Sequence, residues 1–402
     1  MRSVERLCAV SIFGVLFVTC LIVSVPRFEQ FWKITDYSDD FENTNVRSYS
    51  NHCVIPNVLM GVISKRPEVE RISLVVHATF DRIGEKLAIQ VNSWQGPVSL
   101  AIVFPGEENN ETTEYYASCT LQKLHLLREA HPNITERLSV HFVFPNKGSN
   151  CPVTHPALDT CQEPLRNLSN AEALTAVTTY PINLARNIAR KLSKTKYILI
   201  ADMDHIFSRD FEPKMLKSAQ KELTKNPKLA LVYRIFEIAN DVKEFPQTKD
   251  DLMRLYRAKK AFEFHKEYFA HKIPYLSAWF RANETDAHGA PSIQFVQSYR
   301  QSAWEPQFVA LRTIPLHDES FLYPSRDNTV LRWEMCRAGY EFVIVNDVFM
   351  FHHGIKSKAE SSFVRAARRR VNGRTVKMIH GFNKRMDNKY PNTKNKCPRF
   401  RL

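Results

Sequence analysis

The chain has 402 residues, of which 44% are hydrophobic, and its formal net charge is +14. The chain is therefore long enough and apolar enough to bury a large hydrophobic core, which excludes a small or largely disordered protein. The positive charge is local, because residues 356–402 contain fifteen Lys and Arg against Glu360 and Asp387 and so carry +13 of the +14. Such a segment can contact an acidic glycan, acidic lipid headgroups or nucleic acid, or be a solvated surface.

The N-terminus predicts a membrane anchor. Residues 7–25 are apolar apart from Ser and Thr and follow Arg2 and Arg6, and a run of about 19 residues matches a bilayer core. A cleaved signal peptide is the alternative, although residues 23–25 are a poor cleavage site. We expect a single-pass type II protein with a cytoplasmic tail at 1–6, a transmembrane signal-anchor at 7–25 and a luminal stem at 26–70.

Sequons and cysteines agree with a luminal body. Four Asn-x-Ser/Thr acceptors occur, at Asn110, Asn133, Asn167 and Asn283. Six cysteines follow the anchor, an even number in an oxidising compartment: Cys53, Cys119, Cys151, Cys161, Cys336 and Cys397. Cys151 and Cys161 flank a Pro-rich loop and are the first expected pair, and zinc is disfavoured because no paired Cys-x-x-Cys is present.

Strand and helix patterns alternate along the body of the chain, which predicts an α/β fold. Strands are predicted at 72–79, 97–104, 138–144, 196–201, 229–238, 308–314 and 342–351. Helices are predicted at 121–130, from Pro181 onward, at 252–271, and at 329–338 with Asn328 as cap and Gly339 as stop. No internal repeat or linker divides this region, so one catalytic domain is the simpler expectation.

The motif Asp202-Met203-Asp204 follows a short apolar strand. Ligands of α/β folds bind at the carboxyl ends of such strands, and paired carboxylates there suit Mg²⁺ or Mn²⁺ together with substrate phosphates. A phosphatase of the dehalogenase type also begins with Asp-x-Asp, but it would continue with Thr or Val, whereas His205 follows here. A solvated strand end remains the third interpretation.

The chain contains several spaced motifs in one order: 72–82, 93–101, 180–190, Asp202-Met-Asp204, Trp304-Glu-Pro306, Asp318-Glu319 and Phe351-His-His-Gly354. Together these motifs resemble glycosyltransferase family 49, which includes glucuronyltransferases of the dystroglycan pathway. The resemblance implies a Rossmann-like GT-A domain at 71–356, followed by a basic C-terminal extension at 357–402. It also implies a Golgi membrane enzyme, with its catalytic domain luminal, that uses Mn²⁺ or Mg²⁺ to transfer sugar from a UDP-sugar to a glycan or glycoprotein acceptor with inversion. A nucleic-acid partner is disfavoured by the luminal placement.

The resemblance also suggests residues for the nucleotide. His77 and Thr79, at the end of the first strand, would meet the uridine, although a buried core histidine is the alternative for His77. Arg186 and Asn187 match an Arg-Asn pair on the helix before the metal strand. Arg186 would neutralise the diphosphate or a donor carboxylate by bidentate bonding, or brace the Asp-x-Asp loop.

Metal and acid-base roles follow in the same way. Asp202 and Asp204 would hold the metal, and His352 would complete its coordination, with the next histidine as a rival. An inverting transfer needs a carboxylate that removes the proton of the acceptor hydroxyl. Asp318 and Glu319 are the expected catalytic carboxylates because they follow an apolar strand and a Pro.

The chain departs from the family pattern at residues 320–327, where the family continues with Arg-Phe and a Gly-Tyr-Gly segment. Loss of glycines should change the acceptor pocket. Glucuronic acid is the best expectation for the donor sugar, and N-acetylglucosamine is the alternative. A different class of function is a catalytically inactive, anchored glycan-binding protein.

Overall fold

The computed structural model describes residues 47–65, 70–106, 110–146, 161, 167–265, 270–286, 289–355, 358–397 and 399–402. The predicted tail and anchor and most of the predicted stem lie outside these residues, as does Cys151. In the described part of the chain, no helix is both long and apolar enough to cross a membrane.

Twelve strands and ten helices are present in the described ranges. The strands are β1 (Arg47–Tyr49), β2 (His52–Leu59), β3 (Ile72–Thr79), β4 (Val98–Val103), β5 (Leu138–Pro145), β6 (Tyr197–Ile200), β7 (His205–Phe207), β8 (Leu229–Ile238), β9 (Ala261–Glu263), β10 (Ile293–Gln297), β11 (Gln307–Leu311) and β12 (Glu341–His353). The helices are α1 (Glu85–Ser93), α2 (Asn110–Ala130), α3 (Pro132–Arg137), α4 (Asn170–Thr179), α5 (Ile182–Leu192), α6 (Phe211–Lys225), α7 (Lys249–Arg257), α8 (Leu276–Arg281), α9 (Thr329–Arg337) and α10 (Lys358–Lys389).

All strands belong to one mixed sheet in the order β1-β2-β5-β4-β3-β6-β11-β8-β12-β10, with β7 beside β12 and β9 beside β8. Strands β5, β4, β3 and β6 are mutually parallel. The chain builds β3, β4 and β5 outward in one direction and then places β6 on the other side of β3. This reversal opens a crevice at the carboxyl ends of β3 and β6, where α/β sheets bind ligands.

The core strands are continuous apolar runs because helices or loops cover both faces of the sheet. Every residue of β4 and of β8 is buried. The predictions of an α/β fold and of strands at 72–79 and 229–238 are confirmed.

The predicted stem extends too far, because residues 47–59 are part of the sheet. Strand β2 pairs antiparallel with β5, and its pairing is interrupted between Ile55 and Leu59. Pro56 and Asn57 lie at the interruption, where Pro cannot donate to a ladder and Asn57 has φ of 55°. This bulge breaks the alternation that would identify the strand in the sequence.

The long helix predicted at 252–271 is wrong. Helix α7 ends at Arg257, and Lys259 adopts a left-handed φ of 56° before β9 pairs with β8. Sheet pairing therefore overrides the helical spacing of the apolar residues. Asn328 does occupy the N-cap position of α9, but its side-chain oxygen accepts from Arg332 and makes no capping bond.

The basic C-terminal segment is an integral part of the domain. Helix α10 buries Val371, Phe382 and Met386, and Phe382 and Met386 join the same core cluster as residues of β6 and β8. Phe400, beyond the helix, packs on Phe382 with ring centroids 5.6 Å apart. The described Arg and Lys side chains of α10 therefore lie on the outer faces of a packed helix.

Two disulfides each join a helix to a segment outside the helices. Cys119 pairs with Cys161 and Cys336 pairs with Cys397, and Cys53 is also disulfide-bonded. The expected Cys151–Cys161 pair is wrong, because α2 presents Cys119 to Cys161. Sequence spacing alone does not reveal that approach.

We predict that Phe382→Ala lowers the free energy of unfolding by about 3–5 kcal/mol, because it removes a fully buried ring and leaves a cavity. Val376→Ala on the same helix is the matched control, since Val376 is 49% exposed and its truncation should change stability by less than about 0.5 kcal/mol. Denaturant unfolding of the purified protein measures both. Equal effects of the two changes would contradict the integration of α10 into the core.

Candidate functional site

A cavity of about 1890 Å³ opens at the carboxyl ends of β3 and β6. It is larger than an ordinary small-molecule pocket of about 300–1,000 Å³, which leaves room for two substrates. Of the nine residues that the sequence predicts for the site, six line this cavity: His77, Thr79, Arg186, Asp202, Asp204 and His352.

The Asp-x-Asp loop is held rigidly behind β6. Gln90 of α1 donates from its side chain to the carbonyl oxygens of Asp202, at 2.7 Å, and His205, at 3.0 Å. The backbone N–H of Asp202 donates to Nδ1 of His205 at 3.3 Å. These bonds orient the two aspartates toward the cavity. Gln90 was not identified by the sequence analysis. The feature that could have pointed to it is a polar side chain on the apolar face of α1.

Asp202 faces two cationic or protonatable groups. Its Oδ1 lies 3.6 Å from Nε2 of His77 and 3.6 Å from an Nη atom of Arg186. Enclosure in the cavity alone would raise the pKa of Asp202, but His77, His205 and Arg186 together hold it well below its usual range. Asp202 is therefore a carboxylate at neutral pH.

Asp204 contacts His352 across the sheet. Strand β7 begins directly after Asp204 and pairs with β12 so that His205 is opposite His352, and Nε2 of His352 lies 3.0 Å from Oδ2 of Asp204. Enclosure would raise the pKa of Asp204, but His352 lowers it below its usual value. Burial would lower the pKa of His352, but Asp204 raises it.

The orientation of the His352 ring depends on Gly354. Nδ1 of His352 donates to the carbonyl oxygen of Gly354 at 2.8 Å, because a carbonyl can only accept. Gly354 has φ of +116°, and an added Cβ would lie 2.9 Å from Oδ1 of Asn240. Glycine is therefore required at this turn. The bond to Gly354 points Nε2 of His352 into the cavity.

Arg186 is buried beneath the cavity floor and braced on both sides. Its Nη1 lies 3.0 Å from Oδ2 of Asp327 and donates to Oδ1 of Asn183 at 3.1 Å. The side chains of Arg186 and Asp327 are only 5% and 9% exposed. Burial raises the pKa of Asp327, although Arg186 opposes the rise. Asp327 lies in the segment that departs from the family pattern, and no sequence signal identifies it as the partner of Arg186.

His77 meets the cavity between two elements. Its Nδ1 is 2.8 Å from the hydroxyl of Tyr180, at the end of α4, and burial lowers its pKa. Thr79 and Tyr180 line the same wall. This wall joins an aromatic ring, an imidazole and a hydroxyl, which are groups that stack on a planar base or hydrogen-bond with one.

Asn187, Asp318 and Glu319 are placed elsewhere. Asn187 donates to Oε1 of Glu319 at 2.8 Å and exchanges two hydrogen bonds with the backbone of His317. Asp318 is ion-paired with Arg385 of α10. None of the three is among the described residues that line the cavity, so in this structure they fasten the loop before α9 and not the cavity itself.

Other polar residues on the cavity wall carry no role in the sequence interpretation. They are Glu305, Arg326, Asp327, Arg365 and Arg368. Glu305 lies in the Trp304-Glu-Pro306 motif, which is one of the motifs of the family resemblance. The presence of Glu305 in that motif, with no role assigned to it, was the sequence signal that could have identified it as a site residue.

The side chains that could ligate a metal here suit a hard divalent cation. Asp204 and His352 are in contact, and Asp202 faces the same cavity but is turned to His77 and Arg186. Within the described ranges, no three His, Cys, Asp or Glu residues are gathered closely enough to hold a metal. Carboxylate oxygens and an imidazole nitrogen whose opposite nitrogen is fixed by a carbonyl are nevertheless the ligand types that Mn²⁺ accepts.

Comparison with known proteins gives one family and several distant relatives. The sequence model described as "Glycosyl-transferase for dystroglycan" matches residues 71–391. Beta-1,4-glucuronyltransferase 1 of Danio rerio is 24% identical over 343 residues, which cover 82% of this chain and 77% of the relative. The Mus musculus protein of the same name is 25% identical over 354 residues, or 85% of this chain and 81% of the relative.

Two further matches cover a smaller share of the protein that was compared. Xylosyl- and glucuronyltransferase LARGE2 of Mus musculus is 25% identical over 291 residues, or 71% of this chain and 34% of the relative. The crystal structure of GalNAc-T7 with UDP, GalNAc and Mn²⁺ is 12% identical, covers 70% of this chain and 44% of that chain, and has a TM-score of 0.36. A structural likeness at that score carries no argument about this site.

We predict that Arg186→Met lowers the free energy of unfolding by about 3–5 kcal/mol, because it leaves the buried carboxylate of Asp327 without its partner. Adding Asp327→Asn to that variant should restore at least about 1 kcal/mol, since a neutral amide is easier to bury. A double-mutant cycle by denaturant unfolding measures the coupling. Strictly additive effects would show that the two side chains do not stabilise each other.

Proposed function

The chain belongs to the family described as glycosyl-transferase for dystroglycan and is a glycosyltransferase, and on that premise we propose that it transfers sugar from a UDP-sugar to a glycan. We further propose that the domain is of the GT-A type and that the transfer is metal-dependent and inverting. The observation that carries the proposal is the meeting of Asp202, Asp204 and His352 on one cavity at the switch point of the sheet.

The cavity offers a separate place for each part of the donor. His77, Thr79 and Tyr180 form the wall that suits uridine, and Asp204 and His352 line the same cavity. Arg186 supplies a fixed positive charge 3.6 Å from Asp202. This arrangement suits a diphosphate that runs from the His77 wall toward His352.

Asp204 and His352 would hold the divalent cation, with Asp202 turning toward it from His77 and Arg186. The bond from Nδ1 of His352 to Gly354 leaves the lone pair of Nε2 for the ligand position. When bound, Mn²⁺ or Mg²⁺ neutralises negative charge on the UDP leaving group. The chain's own residues fix the position of that charge, because Gln90 and the β7–β12 pairing leave the Asp-x-Asp loop little freedom.

Glucuronic acid is the proposed donor sugar, supported by the names of the relatives. N-acetylglucosamine is the alternative, because among the described residues that line the cavity no arginine is placed by its contacts for a sugar carboxylate. An inactive glycan-binding protein is the competing class. Asp202, Asp204 and His352, the residues expected to hold the metal, all line the cavity, and this observation opposes the inactive alternative.

We also propose that the protein is a single-pass type II membrane protein of the Golgi with its catalytic domain in the lumen. The apolar run at 7–25 supports this placement, as do the disulfide-bonded cysteines of the domain, because stable disulfides form in oxidising compartments. The membrane would then contact the N-terminal anchor, and nucleic acid is not a partner.

The proposed activity is tested by UDP release from a panel that includes UDP-glucuronic acid and UDP-N-acetylglucosamine, each with Mn²⁺ and with EDTA, without acceptor. We expect slow release from one donor with Mn²⁺ and none with EDTA. Release that EDTA does not reduce would remove the metal from the mechanism. The absence of release and of transfer from every donor would favour the inactive glycan-binding protein.

We predict that Asp204→Asn abolishes turnover while changing the unfolding midpoint little, because it removes a proposed metal ligand and no core volume. Retention of more than about one tenth of the activity would contradict the metal role. Asp241→Asn is a matched control, since Asp241 is an exposed aspartate paired with Lys260 outside the cavity.

The cavity wall formed by α10 suggests an acidic acceptor. Arg365 and Arg368 of this helix line the cavity together with Arg326. Arg368 donates to the carbonyl of Pro324 at 3.1 Å, and Arg326 donates to that of Ser302 at 3.2 Å. Both contacts are to neutral carbonyls, and within the described residues none of the three arginines has a carboxylate at ion-pair distance. A carboxylate- or phosphate-bearing glycan would supply a negative charge there.

We predict that Arg365→Gln and Arg368→Gln each raise KM for an acidic acceptor about three- to tenfold, the loss of one charge-assisted contact. The KM for the donor should stay the same, and the salt dependence of acceptor KM should weaken. Arg369→Gln is the control, because Arg369 is exposed on the same helix and does not line the cavity. Unchanged acceptor kinetics in both variants would leave these arginines as solvated surface.

A further inference from the structure

We propose that Glu305 is the general base that removes the proton from the acceptor hydroxyl. This inference rests on the proposed transferase function. Glu305 lines the cavity, whereas Asp318 and Glu319, the carboxylates expected from the sequence, do not.

The backbone of Glu305 is fixed on both sides. Its N–H donates to the carbonyl oxygen of Ala270 at 2.6 Å, and its own carbonyl accepts from Nδ1 of His271 at 2.8 Å. The preceding residue, Trp304, is 6% exposed, and its carbonyl accepts from the hydroxyl of Tyr299 at 2.9 Å. A side chain held on such a backbone can act at a defined position, as acid-base catalysis requires.

The carboxylate of Glu305 has a free acceptor face. Its Oε2 lies 3.7 Å from Nε2 of His271, but Nδ1 of that ring carries the proton given to the Glu305 carbonyl. Burial lowers the pKa of His271 to about 3, so the ring is neutral and its Nε2 has no proton to donate. Among the described residues, no group donates a hydrogen bond to the Glu305 carboxylate, and its side chain is 28% exposed.

The other cavity carboxylates are engaged or misplaced. Asp202 and Asp204 are the proposed metal ligands, Asp327 is bound by Arg186 at 3.0 Å, and Glu172 caps α4 through Ser169. Glu237 is buried beside His265. The remaining two, Asp81 and Glu360, are exposed to solvent. Glu305 alone among these described carboxylates combines partial burial with a free face.

The surroundings tune Glu305 for this role. Burial raises its pKa, and nearby arginines oppose the rise. The titratable and charged groups that face it are His271, Tyr299, Asp327, Arg186, Arg326, Arg332 and Arg368. A carboxylate with a raised pKa is more basic than usual and accepts a proton more readily, and this matches the requirement for a general base.

The reaction balances without any further reagent. The acceptor oxygen forms a bond to the anomeric carbon while its proton moves to the Glu305 carboxylate. The bond from the anomeric carbon to the diphosphate oxygen breaks, and its electron pair leaves with UDP. Glu305 returns to the carboxylate when the proton passes to solvent.

The test measures transfer by Glu305→Gln with the donor and acceptor found for the wild type. We expect kcat to fall about 10²–10⁴-fold, the usual contribution of a general base, while UDP-sugar affinity by calorimetry stays within about twofold. Glu341→Gln is the matched control and should transfer like the wild type, because Glu341 is an exposed carboxylate at the start of β12 and does not line the cavity. Loss of less than tenfold in Glu305→Gln would overturn the proposal.

The pH profile adds a readout that a structural role would not move. Wild-type kcat/KM should fall as pH drops through the pKa of Glu305, which lies above that of an ordinary Glu, because only the carboxylate accepts the proton. The residual activity of Glu305→Gln should lack this limb, and Glu305→Asp should keep it with a lower kcat. If Glu305→Gln does not fold, Glu305→Asp decides: a wild-type kcat and pH profile would overturn the proposal. A wild type without transfer would instead overturn the proposed function itself.

Discussion

The pairing of β7 with β12 is the interaction on which the site depends. It places His352 opposite His205 and therefore beside Asp204, which is 148 positions away in the sequence. Without this pairing, the Asp-x-Asp loop would be a turn after a strand, with no ligand from the far end of the domain. The short β7 strand can hold the loop because Gln90 fixes the loop from the other side.

The site is stiff where charge must be positioned and open where substrates must enter. Arg186 is buried and held by Asp327 and Asn183, and His352 is held by Gly354. Arg365 and Arg368 of α10 are exposed and line one side of the cavity. Charged groups that are already held in position need little reorientation when a substrate binds and reacts. Such preorganisation is a main way in which enzymes stabilise charge that develops in the transition state.

The basic C-terminal segment illustrates how composition can mislead about structure. Its charge predicts a solvated surface or a tail, and charge does dominate its outer faces. Apolar residues at 371, 379, 382 and 386 nevertheless pack α10 onto the core. The helix thereby serves two purposes, since it completes the core with one face and lines the cavity with another.

The sequence by itself determined the α/β class, the central strands, the family and the position of Asp202, Asp204 and His352 on the cavity. Continuous apolar strands and spaced motifs are local signals, and they survive without knowledge of contacts. Only the tertiary structure decided that residues 47–59 join the sheet, that Cys161 pairs with Cys119, and that Asp318 and Glu319 do not line the cavity. Strand register, disulfide partners and the direction of a loop depend on which distant surfaces meet, and single-sequence patterns do not encode those long-range contacts.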